Sequence, residues 1–122
     1  MDRYIGLDAH SASCTLAVIG PSGRRLQNQV VETNGKSLVN FIHTVPGTRR
    51  LCLEEGTQAA WLHEILAPHV DEIVVVAVKQ SKGPKSDARH AFGLAEKLRK
   101  GDISKRVYRG VGEFGALGEL SR

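Results

Sequence analysis

The sequence has few cysteines and no long apolar run, and both absences exclude whole classes of protein. Its 122 residues include two cysteines, Cys14 and Cys52, each within a predicted strand and neither in a C-x-x-C motif. We therefore expect two buried free thiols rather than a disulfide or a zinc site. The longest apolar stretch, residues 72–78, has the length of a strand and is too short to cross a bilayer. No signal-peptide pattern precedes the first predicted strand, so we expect a cytoplasmic location.

Motifs of common catalytic and cofactor sites are also missing. The sequence has no Ser-His-Asp spacing and no glycine-rich loop that would cradle a phosphate. The length is enough for one domain with its own core, and an apolar share of 41% is ordinary for a globular domain. A small-molecule enzyme with a recognisable cofactor motif therefore has little support.

The hydrophobic pattern predicts an α/β domain in the order β-β-β-α-β-α-β-α. The first three strands are expected to form a meander, and the last strand is almost uniformly apolar, as in a parallel strand covered on both faces. The predicted strands are residues 4–8, 13–19, 25–32, 50–54 and 72–78, and the predicted helices are 36–45, 59–66 and 85–100. The inward side of the second helix is expected to hold Trp61, Leu62, Ile65 and Leu66. This pattern indicates a mixed sheet with helices on both faces.

Two carboxylates stand at the ends of predicted strands. Asp8 ends the first strand and Glu54 the fourth, and ligand sites of such sheets lie outside the carboxyl ends of central parallel strands. Acids at the ends of buried strands are costly unless they bind something positive, so this pair indicates half of a divalent-metal site. Asp87 and His90, three residues apart in the last predicted helix, supply the other half. The alternative interpretation is that Asp8 only caps a turn, that Glu54 is exposed to solvent at the end of its strand, and that Asp87 is only the N-cap or first-turn acid of its helix.

Positive charge is concentrated around Asp87 and His90. Residues 1–78 hold 6 Lys/Arg and 8 Asp/Glu, whereas residues 79–109 hold 10 and 3. Such a basic field suits a polyanion, usually the phosphate backbone of nucleic acid, and a solvated helix face is the alternative. The residues expected to contact nucleic acid are Lys82, Lys85, Arg89, Lys97, Lys100, Lys105 and Arg106.

Three segments share the order and spacing of a known family. They are Ile5-Gly6-Leu7-Asp8-Ala9-His10, Leu53-Glu54-Glu55-Gly56-Thr57 and Lys85-Ser86-Asp87-Ala88-Arg89-His90-Ala91. They resemble the RuvC-like amino-terminal domain of DEDD-type insertion-sequence transposases, a family that includes Piv-like DNA invertases and bridge-RNA-guided recombinases. The resemblance covers about residues 3–109 and implies an RNase H-like fold. The absence of a glycine-rich turn after Asp8 distinguishes the chain from actin-like, ATP-binding relatives of that fold.

The resemblance implies a catalytic role for each of four positions. The first acid of the family corresponds to Asp8, the second to Glu54 with Glu55 as the neighbouring alternative, and the third to Asp87. The fourth acid falls on His90, and some RuvC-type resolvases are similar in having one histidine among their acids. These residues would bind Mg²⁺ or Mn²⁺ and cleave phosphodiesters. A histidine in the set lowers the expected metal affinity and makes it more dependent on pH.

The same resemblance implies partners and a boundary. Its members act on DNA as multimers, some with a guide RNA, so we expect DNA, a guide RNA and a homo-oligomer. Residues 110–122 are similar to the start of a linker helix, or form a disordered tail, and the domain is expected to span 1–109.

The implied function is metal-dependent strand cleavage and transfer in DNA transposition. The chain is expected to stop before the catalytic-serine domain of the family, which recombination would need. The alternative is an inactive remnant that binds nucleic acid or associates with itself. His10 is not expected to be a ligand, because family members commonly carry a polar pair at this place without using it.

Overall fold

A six-stranded mixed sheet organises the chain. The computed structural model describes residues 1–77, 86–101 and 106–110. The strands are β1 (Asp2–Ala9), β2 (Ser13–Ile19), β3 (Arg25–Glu32), β4 (Thr48–Glu54), β5 (Glu72–Val76) and β6 (Arg106–Gly110). The helices are α1 (Gly35–His43), α2 (Ala59–Leu66) and α3 (Asp87–Lys100), with a short 3-10 helix at Ala67–His69. The predicted α/β order is confirmed, and β6 follows it as a strand that the sequence pattern does not predict.

The pairing of the strands brings two acids to one edge. The sheet order is β3-β2-β1-β4-β5-β6, with the first three strands forming the predicted antiparallel meander. β4 pairs in parallel with both β1 and β5, and β6 is antiparallel to β5. Leu7 of β1 is opposite Leu53 of β4. The next residues, Asp8 and Glu54, therefore lie side by side at the carboxyl edge of the central parallel strands.

The residues of β1 alternate between two hydrophobic cores. Ile5 and Leu7 belong to the core beneath α1 and α2, whereas Gly6 faces α3 on the opposite side of the sheet. Because side chains alternate with a period of two along a strand, Asp8 continues the α3 side. β4 alternates in register with β1, so Glu54 projects to the same side. Both acids therefore lie on the face where α3 begins.

α3 begins and ends at residues suited to helix caps. The Ser86 hydroxyl accepts a hydrogen bond from the backbone N–H of Arg89 at 3.1 Å. Gly101 adopts the left-handed conformation, with φ of 71°, and ends the helix. The helix begins at Asp87, two residues later than predicted, so its first residue is the third candidate ligand.

α3 lies so close to β1 that only glycine fits at position 6. A Cβ on Gly6 would overlap the carbonyl oxygen of Ala91 and would lie 2.8 Å from the backbone nitrogen of Ala95. Both contacts are to backbone atoms, which cannot move unless α3 shifts as a whole. The contact therefore fixes the height of α3 above β1, two residues before Asp8.

Unlike Gly6 in β1, the glycine in the middle of α3, Gly93, has no packing role. Gly93 is exposed, and a Cβ added to it would meet no atom within 4 Å. Glycine in the interior of a helix is less favourable than alanine by about 0.8–1.0 kcal/mol. No contact in the described part of the chain compensates for that cost.

The prediction for Trp61 is wrong. This side chain is 38% exposed, whereas we expected it on the inward side of α2. The buried stripe of α2 runs through Ala59, Leu62 and Leu66, which are three and four residues apart. Ile65 packs at its margin, and Trp61 falls outside it because it lies only one residue before Leu62.

The two cysteines are buried free thiols, as predicted. Burial raises the pKa of Cys52 to about 12, so this thiol stays protonated and is a poor metal ligand or nucleophile. None of the described helices has the length and apolar character that a membrane span requires.

Part of the predicted basic surface and tail cannot be compared with the structure. Lys82, Lys85, Lys105 and residues 111–122 lie outside the described residues, and for Arg106 only its backbone in β6 is described.

We predict that Gly6→Ala destabilises the protein by about 3 kcal/mol, at the upper end of the usual range for overpacking, because its Cβ collides with the backbone of α3. Urea denaturation monitored by circular dichroism measures the change. Gly20→Ala is the matched control, since a Cβ there makes an ordinary contact of 3.7 Å with Leu26. Equal stability of the two variants would contradict the close approach of α3 to β1.

Candidate metal centre

The side chains of Asp8, from β1, and Asp87, from α3, lie close together. Asp8, near the end of β1, has a side chain that is 14% exposed, and Asp87, the first residue of α3, has one that is 58% exposed. His10 lies between them. Its Nε2 is 3.2 Å from Asp8 Oδ2 and 3.3 Å from Asp87 Oδ1. The ligand atoms of the three residues lie within 4.8 Å of one another, so the group could hold a metal ion.

His10 is the first residue after β1 and joins this group by continuing the alternation of that strand. It lies two residues after Asp8, and its backbone N–H donates a hydrogen bond of 3.0 Å to the carbonyl oxygen of Ser13, which closes the turn into β2. We did not expect a ligand at this position. The sequence signal was the Asp-x-His spacing, which repeats the two-residue period that directs Asp8 toward α3.

Glu54 and His90 form a second pair beside the first. His90 Nε2 lies 3.0 Å from Glu54 Oε1, and the two side chains are 26% and 20% exposed. Burial raises the pKa of Asp8, and His90 lies near enough to oppose part of that rise. All four predicted residues therefore lie at one edge of the sheet, with Asp8 and Asp87 bridged by His10, and Glu54 bound to His90.

A cleft of about 180 Å³ opens next to Asp8 and Glu54 at the start of α2. Glu55, the alternative to Glu54, is exposed and lines the same cleft. Its backbone N–H donates a hydrogen bond of 2.8 Å to the carbonyl oxygen of Val76, which ties the loop to β5. Of the two glutamates, it is Glu54 that contacts His90.

The electrostatics of the centre favour a cation. Burial raises the pKa of Asp8, an effect that His90 and His10 only partly offset and to which Asp87 adds. Burial lowers the pKa of His10, but the carboxylates of Asp8 and Asp87 outweigh it, and the pKa lies above its usual value. The position between the two carboxylates is therefore one where positive charge is stabilised. A metal ion there would replace the proton on His10 Nε2.

The donor set fits a divalent metal ion. Carboxylate oxygens suit Mg²⁺ and Mn²⁺, and imidazole nitrogen suits Mn²⁺ and the later transition metals. Donors at about 2.0–2.2 Å from one ion lie roughly 3–4.4 Å apart. Small side-chain rotations bring Asp8, His10 and Asp87 within that range, because their ligand atoms already lie within 4.8 Å of one another.

Three of the predicted nucleic-acid contacts are described in α3. Arg89 and Lys100 are exposed and Lys97 is half-buried. None of the three forms an ion pair within residues 1–77 and 86–101. Positive charge without an acidic partner therefore lies on the same helix that contributes Asp87 and His90 to the centre.

Comparison with known proteins assigns the architecture. No family model matches the chain, and no curated protein matches it. Among solved structures, it is similar to T. thermophilus RuvC in complex with Holliday junction substrate, with a TM-score of 0.57 over 88% of this chain and 100% of that chain. The fold is RuvC-like, of the RNase H-like class. At 13% sequence identity this likeness establishes the RuvC-like fold, which agrees with the predicted fold class.

We predict that Asp8→Asn and Asp87→Asn each lower the pKa of His10, because each removes a carboxylate that raises it. NMR titration of the His10 ring proton measures the shift, and His69, at the opposite edge of the sheet, is the internal control. The raised pKa also means that protonated His10 stabilises the fold below its unfolded-state pKa, and this contribution is lost as pH rises through the folded-state pKa. An unchanged His10 pKa in both variants would contradict the described contacts.

Proposed function

We propose that this chain is a divalent-metal-dependent nuclease domain that cleaves phosphodiester bonds in DNA. The observation that carries the proposal is the convergence of Asp8, His10 and Asp87 at the carboxyl edge of β1, with Glu54 and His90 beside them. The RuvC-like fold supports it, and the similar T. thermophilus protein was solved with a Holliday junction substrate, which favours DNA as the partner.

The exposure of each side chain indicates its role in binding the metal ion. Asp8, which is the least exposed of its group, would anchor Mg²⁺ or Mn²⁺, and the more exposed His10 and Asp87 would complete its protein ligands on the side open to substrate. When bound, such an ion would supply the positive charge that phosphodiester cleavage needs, by lowering the pKa of a water molecule or by polarising a phosphoryl oxygen. Glu54 and His90 lie beside this group as a pair 3.0 Å apart, and the charge of His90 acts on Asp8.

Within this class we propose strand cleavage and transfer in DNA transposition. The support is the order and spacing of the sequence segments that carry Asp8, Glu54 and Asp87, which resemble DEDD-type insertion-sequence transposases. With this function we also propose a guide RNA as a partner and assembly of the chain into a homo-oligomer. His90 takes the place of the last acid of the family, which reduces the negative charge available to the metal.

A specific contact favours a second candidate function. Glu54 is bound to His90 at 3.0 Å, and a carboxylate held in this way offers less charge to a metal ion. An inactive module that keeps the RuvC-like fold and binds DNA through α3 would show the same pair. Metal binding by Asp8 distinguishes the two functions.

We predict that the protein binds Mn²⁺ and that Asp8→Asn weakens this binding at least about tenfold, as loss of a metal-site group does. Isothermal titration calorimetry measures the affinity. His90→Asp should strengthen binding, because it supplies a fourth carboxylate. Glu64→Gln, which removes an exposed acid on α2, is the control and should have no effect. Absence of Mn²⁺ binding, or an affinity that Asp8→Asn leaves unchanged, would refute the metal centre and leave the second candidate.

We predict that DNA affinity falls steeply as salt rises, because Lys and Arg side chains displace counterions from phosphates. Replacing Arg89, Lys97 and Lys100 with glutamine should reduce the slope of log K against log salt by about 2–3, or roughly 0.9 for each phosphate contact. Fluorescence anisotropy with a labelled DNA duplex measures the slope. Lys36→Gln, on the opposite face of the sheet, is the control. A slope that the triple variant leaves unchanged would show that α3 makes no phosphate contacts.

A further inference from the structure

Gly93 lies at the centre of the outward face of α3. The inward side of this helix is defined by its buried residues, Ala91, Phe92, Leu94, Ala95 and Leu98. Successive residues of a helix are 100° apart, and Gly93 therefore points away from the sheet. The centre of the exposed face thus has no side chain at all.

Neither packing nor backbone conformation accounts for this glycine. Its φ is not positive, unlike that of Gly101 at the end of the same helix. A Cβ would meet open space, whereas at Gly6 it would meet the backbone of α3. A helix surface without a side chain does allow another backbone to approach closely, as glycines do where proteins contact phosphates.

The surroundings of Gly93 are basic. Arg89 lies one turn before it and Lys97 one turn after it, with Lys100 about two turns after it. The acid nearest to this face, Glu96, is neutralised by Arg99, whose Nη2 lies 2.9 Å from Glu96 Oε1. From Arg89 to Lys100 the helix rises by about 16 Å, close to five nucleotides of one B-form strand.

The same helix leads to the metal centre. Asp87 and His90 belong to its first turn, so a strand that lies along the outward face of α3 reaches the acids at the start of the helix. We propose that the sugar-phosphate backbone of DNA packs against Gly93, where Arg89, Lys97 and Lys100 hold it. This inference rests on the proposed nuclease function and adds the path by which the substrate approaches.

Gly93→Ala tests the inference because its two effects have opposite signs. The variant should raise the Tm by about 3–6 °C, since alanine favours the helix and its Cβ meets open space. It should also weaken binding of a labelled DNA duplex by about fivefold to tenfold, because the added methyl group holds the sugar-phosphate backbone away from the helix at a cost similar to that of one hydrogen bond. A protein that is more stable and binds less well cannot be explained by misfolding.

Two further variants complete the experiment. Gly35→Ala is the matched control, because it is also a glycine in a helix, lies on the opposite face of the sheet and has room for a Cβ at 3.8 Å from Ile65. It should leave DNA affinity unchanged. Gly93→Leu places a larger side chain on the outward face and should weaken binding more than Gly93→Ala does.

The outcomes separate this inference from the proposed function. Weaker binding by both Gly93 variants, with normal binding by Gly35→Ala, supports the inference. Wild-type binding that neither Gly93 variant changes overturns it and leaves the nuclease proposal intact. A wild-type protein that binds no DNA, even at low salt, overturns both.

Discussion

The contact between α3 and β1 at Gly6 is the constraint on which the rest of the structure depends. The backbone of α3 at Ala91 and Ala95 occupies the space that a side chain at position 6 would need. Gly6 precedes Asp8 by two residues on the same face of β1, and Ala91 follows His90 directly. The contact that seats the helix therefore also sets the distance between the acids of the strand and the groups in the first turn of the helix.

Charge balance is the second organising feature. Asp8 and Asp87 repel one another across a partly buried edge, and the imidazole of His10 lies between their carboxylates. Glu54 is balanced in the same way by His90. Each acid of the centre thus has a histidine as its partner. The histidines are titratable, so they supply positive charge beside the carboxylates, as a bound divalent ion would.

The fold could be predicted because each element has its own pattern. Strand alternation indicated the direction of Asp8, and the segments that carry the four acid and histidine positions indicated that these lie near one another. The individual contacts could not be read from the sequence, because the one between Glu54 and His90 depends on the height of α3. β6 was missed because its charged residues resemble a surface loop. The error at Trp61 has a similar origin, since a large apolar residue one position from a buried stripe is indistinguishable by composition from a member of it.

The contact between His10 and Asp87 spans 77 positions in the chain. Its two ends come together only when β1, the central sheet and α3 are all in place, so the centre cannot form in a partly folded chain. A cation bound there would select the completely folded state and would act as a reversible cross-link between the end of β1 and the start of α3. Through that link, the concentration of a metal ion would influence the stability of the whole protein.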